Sequence, residues 1–284
     1  MQSLVIYLLT ISNDVLYIEI NGLKPVKIIG RYKGALDEIA IWECERTGDR
    51  LYREGEIFQS QSSATGESRL PYVKMMEGFL NDAKSVLVLG CGGGNLATML
   101  TRSGKDVIVV DCNPISFDLA REFFGMPKGI PCVIDDFQRY LTAERRHFDG
   151  IAVDVGGPGF CYEEQFSPAT CRSIVNRLNS DGRVILNMLA GSDCDAAPDK
   201  IGRDLSADRL SVWIFDQPSL SNRNVLIAGL SKTRRTANKQ QISSLRRTDG
   251  ERWTLRRPRH PSHADRPITI NIHGATNRPR HREN

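Results

Sequence analysis

From Lys84 to about Gly229 short apolar runs alternate with amphipathic stretches. The runs at 85–89, 107–110, 131–135, 149–154, 183–188, 210–216 and 223–229 have the length and β-branched content of strands. Val86-Leu87-Val88-Leu89 and Val107-Ile108-Val109-Val110 are apolar at every position. Such runs suit strands buried on both faces. Between them, Leu96 to Arg102, Ser116 to Phe124, Phe137 to Glu144 and Phe166 to Leu178 read as helices. Strand-helix alternation of this kind predicts an α/β architecture: a doubly wound, mostly parallel, seven-stranded sheet with helices on both faces.

The flanks read differently. Leu4 to Ile11, Val15 to Ile20, Val26 to Gly30 and Glu38 to Cys44 are β-rich runs broken by Asn13-Asp14, Asn21-Gly22 and Thr47-Gly48-Asp49. They predict a small antiparallel sheet or hairpins over residues 1–62. A polar loop at 60–68 leads to Pro71, which suits the first turn of a helix running to about Asn81. After Leu230 the apolar periodicity stops, and arginine pairs and prolines dominate. The expected organisation is therefore a β-rich domain at 1–62, an α/β domain at 63–230, and an unstructured basic tail at 231–284.

Charge sharpens that division. Residues 231–284 hold 14 Lys/Arg and 4 Asp/Glu, a net of +10, so residues 1–230 carry a net of −6. Clustered arginines would neutralise phosphates, which makes anion or RNA contact the alternative role for the tail. The seven cysteines form no C-x-x-C pair, and several sit in apolar runs. They read as small buried hydrophobes in a reducing compartment, with no disulfide framework and no metal set. The apolar N-terminus lacks a basic leader, and no apolar run is long enough to span a membrane, so the cytoplasm is the expected location.

The chemistry concentrates at Gly90 to Gly94. Glycines between a strand and a helix allow a sharp turn and close approach of a ligand to the backbone, and the helix N-terminus beyond favours an electron-rich group. Asp111, about 20 residues after Cys91 at the tip of the next strand, is placed to hold two ribose hydroxyls. A dinucleotide fingerprint needs a third glycine at position 95, where asparagine stands. Gly90, Gly92 and Gly94 form instead the G-x-G-x-G spacing of S-adenosylmethionine (SAM) sites, with Asp135 placed to accept the adenine amino group. Asp154 ends the strand Ile151-Ala152-Val153 and faces the ligand crevice expected at strand tips, where it can take a proton from an acceptor. Asp136 reads as a helix N-cap. His147 reads as a surface residue, and Tyr162 to Glu164 as either a lid or a solvated helix start.

From roughly Ile39 to Ala228 the sequence resembles the spermidine synthase-like family, the aminopropyltransferase branch of the SAM-dependent methyltransferase fold. The resemblance implies that Gln59, within Arg53 to Gln61, touches the donor nucleoside. It implies that Glu67 and Tyr72 stand for a loosened acidic-tyrosine element, that Asp154 is the base, and that the chain forms homo-oligomers. Two positions depart from the family. Gly93 stands where aminopropyltransferases carry an acid that pairs with the amine of decarboxylated SAM, and Gly157 where they carry an acid for the diamine. A cationic amine entering a partly buried site without a charge partner is penalised by desolvation. Methyl transfer from SAM to a small-molecule acceptor is therefore expected ahead of aminopropyl transfer from decarboxylated SAM. A non-catalytic SAM-fold module and a nucleic-acid methyltransferase that holds its substrate with the basic tail are the other classes left open.

Overall fold

The computed structural model describes residues 7–12, 15–19, 26–207, 209–220, 222–234 and 253–260. The N-terminal strands are β1 (Tyr7–Ser12), β2 (Val15–Glu19), β3 (Val26–Lys33), β4 (Glu38–Cys44), β5 (Arg50–Glu54) and β6 (Ile57–Ser62). They form one six-stranded antiparallel sheet in sequence order. Polar breaks at 45–49 and 55–56 set its last hairpins, and alternation along β4 and β5 gives the sheet two apolar faces. Ile39, Ile41 and Tyr52 pack on Leu119 and Phe124 of the next layer, while Ala40, Trp42 and Leu51 face the other way.

The chain then winds through α1 (Pro71–Phe79), β7 (Ser85–Leu89), α2 (Asn95–Arg102), β8 (Asp106–Asp111), α3 (Ser116–Phe123), β9 (Cys132–Ile134), α4 (Phe137–Ala143) and β10 (Phe148–Val153). It continues through α5 (Tyr162–Gln165), α6 (Pro168–Asn176), β11 (Leu178–Ala190), α7 (Ala197–Ser206), β12 (Leu210–Asp216), β13 (Arg223–Ser231) and β14 (Thr254–Arg256). The second sheet runs β14-β12-β13-β11-β10-β7-β8-β9. Strands β7 to β11 are parallel to their neighbours within that group, and β13 is antiparallel between β11 and β12.

The continuous apolar runs follow from this topology. Val86 and Val88 of β7 point toward α1 and α2, and Leu87 and Leu89 point toward the layer of α4, α6 and α7. Both faces are buried, so the strand has no polar side to show. Order reverses at β7, with β8 and β9 on one side and β10 and β11 on the other. Such a switch point opens a crevice at the carboxyl ends of the strands.

The α/β expectation holds, with two differences. The sheet has eight strands, not seven, and the eighth comes from the tail expected to be unstructured. β14 pairs antiparallel with β12, and Trp253 before it is buried in the α1–α2 core. Arg256 pairs with Asp199 at 2.5 Å, and Arg257 stacks 4.0 Å over Trp213. Composition hides this segment because its partners lie about 40 to 57 residues away in sequence. Residues 235–252 and 261–284, most of the basic tail proposed for RNA or anion contact, lie outside the described residues. Among the described residues no helix is long and apolar enough to cross a membrane.

Candidate functional site

The turn after β7 is built on three left-handed glycines. Gly90, Gly92 and Gly94 have φ of 95°, 50° and 66°, a region that side chains avoid. Gly90 is also closed in: a Cβ there would lie 2.1 Å from the Asp154 carbonyl oxygen. The same contact places the β10 tip directly against the glycine turn. Gly94 is the N-cap of α2, so the first backbone N–H groups of that helix face the turn.

Asp111 ends β8 beside this loop. Its Oδ2 accepts the Cys91 N–H at 2.6 Å, and its Oδ1 accepts the Asn113 N–H at 2.7 Å. Burial pushes its carboxyl upward, while the N–H groups of Asn113, Cys91 and Gly92 pull the other way. Each oxygen keeps a second lone pair, so the carboxylate can hold the loop and still accept two hydroxyls. Asp135 follows β9, and its N–H donates to the Asp111 carbonyl at 3.1 Å. Its carboxylate pairs with Arg139 and caps the Asp136 N–H at 2.8 Å. Asp136 caps α4, accepting from Gln138 and Arg139 N–H groups at 3.0 and 2.9 Å, as its sequence position predicts.

The N-terminal sheet supplies the opposite wall. Ser60 Oγ accepts the Gly93 N–H at 2.9 Å, and a Cβ on Gly92 would lie 3.8 Å from the Gln59 side chain. Gln59 donates to buried Glu54 at 2.8 Å, and Asn113 donates to the same carboxylate at 3.2 Å. Gln59, the glycine loop and Asp111 are thus one connected cluster.

Asp154 stands on the far side of Gly90. Asn187 of β11 donates to its Oδ1 at 2.9 Å, and the Tyr72 hydroxyl reaches its Oδ2 at 3.5 Å. Burial raises its carboxyl, and the two donors partly offset the shift. Tyr72 is raised well above the ordinary phenol range by burial and then by Asp154. Tyr72, Asp154, Gly90 and Gly94 line one small cavity of about 20 Å³, enough for a single water. Tyr162 opens α5 over the loop after β10, stacked on Phe166, and burial pushes its phenol up to about 12.

Gln59, Gly90, Gly92, Gly94, Asp111, Asp135 and Asp154 stand on β6 and at the tips of β7 to β10, and of these Gly90, Gly94 and Asp154 line the small cavity. Ser60, Glu54, Asn113 and Asn187 were not singled out. Glu54 and Ser60 lie in the segment Arg53 to Gln61 but carried no role there, Asn113 and Asn187 belong to no motif, and each of the four acts on a residue 20 or more positions away. His147 is exposed, as expected. Of the cysteines, Cys44 and Cys171 are buried but Cys112, Cys161 and Cys194 are exposed, because they fall in loops beyond the strand tips.

No family model matches the sequence, and no curated protein matches it. Solved structures do match the fold. A probable spermidine synthase from Corynebacterium glutamicum superposes with a TM-score of 0.68 at 15% identity, over 81% of this chain and 90% of that one. A spermidine synthase in complex with the transition state analogue AdoDATO gives 0.58 at 16% identity, over 79% of each chain. The Thermotoga maritima spermidine synthase gives 0.57 at 19%, over 72% of each. The chain shares the fold of these proteins over the lengths matched.

Proposed function

We propose that this protein is a transferase that takes S-adenosylmethionine as donor and passes its methyl group to a small-molecule acceptor. One observation supports this above the rest: the left-handed glycine turn lies between the Asp111 carboxylate, which accepts the Cys91 N–H, and the tip of β10, where the Asp154 backbone carbonyl closes on Gly90. In this reading the nucleoside lies along Gly90 to Gly94, with its ribose hydroxyls on Asp111, its adenine amino group toward Asp135, and Gln59 against its edge. That leaves Asp154 for the acceptor.

The chemistry is a direct displacement. The acceptor nitrogen or oxygen bonds to the methyl carbon as the carbon–sulfur bond breaks, and the electron pair leaves with sulfur as a neutral thioether. The acceptor proton passes to Asp154 and then to water. Burial favours the protonated form of Asp154, which makes its carboxylate the stronger base. Asn187 and Tyr72 occupy one lone pair on each oxygen and so fix its orientation.

Methyl transfer is chosen over aminopropyl transfer because the loop offers no acid to a donor amine. Gly93 has no side chain, and a Cβ there would come within 3.0 Å of Ser60 Cβ and the Phe124 ring. A side chain at that position would need Ser60 or Phe124 to give way by a few tenths of an ångström. Calorimetric titration of the full chain with SAM and with decarboxylated SAM tests this. SAM should bind more tightly. Tighter binding of decarboxylated SAM would overturn methyl transfer, and binding of neither would overturn the donor site itself.

A further inference from the structure

Gln59 and Ser60 are consecutive, yet both reach the glycine turn. Ser60 Oγ holds the Gly93 N–H at 2.9 Å, and a Cβ on Gly92 would lie 3.8 Å from Gln59 Oε1. A regular strand sends consecutive side chains to opposite faces. Here Tyr52 pairs with Ser60 and Arg53 with Phe58, so Gln59 is the extra residue of a β-bulge. Bulges re-aim side chains in this way beside binding sites. Glu54, the last residue of β5, then fixes which end of the Gln59 amide a ligand meets. It is 3% exposed, and a Cβ on Gly34 would lie 2.6 Å from its Oε1, so the turn between β3 and β4 closes over it.

An ionised carboxylate only accepts hydrogen bonds, so a buried one must be met by donors. Glu54 Oε2 accepts from Gln59 Nε2 at 2.8 Å, and its Oε1 accepts from Asn113 Nδ2 at 3.2 Å. The Gln59 nitrogen is thereby turned inward, and its carbonyl oxygen is left toward Gly92. Asn113 also donates its backbone N–H to Asp111 Oδ1 at 2.7 Å, so one residue ties Glu54 to the carboxylate that would hold the ribose. Other charged groups share this corner. Asp111, Tyr52 and Cys112 feel the Glu54 charge, the Asp37 carboxylate would lie 2.7 Å from a Cβ on Gly55, and Arg53 pairs with Glu56.

We propose that Glu54 is a positioning residue for the donor nucleoside: it presents the Gln59 carbonyl as an acceptor for a ribose hydroxyl beside Asp111. This rests on the donor reading above, and the test separates the two. 5′-Methylthioadenosine, a neutral nucleoside, and its 2′,3′-dideoxy analogue are titrated into the full chain by calorimetry. Failure of the first to bind the unmodified protein would remove the donor reading and this one with it. In Gln59→Glu two carboxylates face each other and must share a proton to stay in place. At about pH 5 the protonated pair should copy glutamine and keep the preference for the hydroxylated ligand. Toward about pH 9 that preference should fall by about three- to tenfold, the worth of one neutral hydrogen bond. The double variant Glu54→Gln, Gln59→Glu reverses the pair at unchanged net charge and should hold the full preference across the range. Gln59→Leu should show the reduced preference at every pH. The unmodified protein, measured over the same range, subtracts the titration of Asp111 and its neighbours. Loosening of the fold would weaken both ligands alike and leave their ratio unchanged. A preference in Gln59→Glu that does not fall with pH, or a double variant that discriminates no better than Gln59→Leu, would overturn the proposal.

Discussion

Replacing Asp111 by asparagine tests the donor side of the crevice with the least change of shape. The carboxylate makes two short contacts with backbone N–H groups, 2.6 Å to Cys91 and 2.7 Å to Asn113. An amide keeps one acceptor oxygen. Its NH2 must then face the other N–H, so one loop bond is lost and one ribose hydroxyl loses its acceptor. A hydrogen bond to a charged group is worth about 1.5–3 kcal/mol, so donor affinity should fall by about 10- to 150-fold. Calorimetry with 5′-methylthioadenosine and its 2′,3′-dideoxy analogue separates the ribose contact from general loosening of the loop. The unmodified protein should favour the hydroxylated ligand, and Asp111→Asn should lose most of that preference. If both proteins discriminate equally, Asp111 does not touch the ribose, and its role is confined to bracing the turn.

Asp154→Asn should keep donor affinity within about twofold while lowering methyl transfer to an amine or hydroxyl acceptor by about 10²–10⁴-fold, the usual worth of a general base. The same variant bears on pH. The folded-state pKa of Asp154 is raised by burial, so its contribution to stability is fully present at low pH and is lost as pH rises through that raised value. The Tm of Asp154→Asn relative to the unmodified protein should therefore climb as pH rises above the ordinary carboxylate range, and a flat difference would contradict the burial argument. Trp253→Ala should lower unfolding free energy by about 3 kcal/mol in a denaturant titration, because it empties a buried site and releases β14; a change below about 0.5 kcal/mol would mean the strap adds nothing to the core.

Much of the α/β domain was legible because its physics is local. Strands buried on both faces must be apolar at every position, and Val86 to Leu89 and Val107 to Val110 show it. The glycine turn was legible because left-handed backbone at Gly90, Gly92 and Gly94 excludes other residues. Asp111, Asp135 and Asp154 follow from topology, since parallel strands deliver their last residues to one edge. Pairings between distant segments were not legible. Ser60 caps a loop 33 residues on, and Asn187 orients an aspartate 33 residues back. Neither distance leaves a periodic or compositional trace. Strand β14 at the edge of β12 was missed for the same reason: Arg256 and Arg257 look like tail charge until Asp199 and Trp213 are placed beside them.

Hydrogen exchange of the full chain with and without SAM tests the central claim most directly, because it needs no acceptor and reports position. Backbone N–H groups at Gly92 to Leu96 and those following Asp111 and Asp135 should exchange more slowly with ligand bound, while those of β12 and β14 should be unchanged. Slowing confined to residues away from the glycine turn, or no slowing at saturating SAM, would contradict a donor site on Gly90 to Gly94.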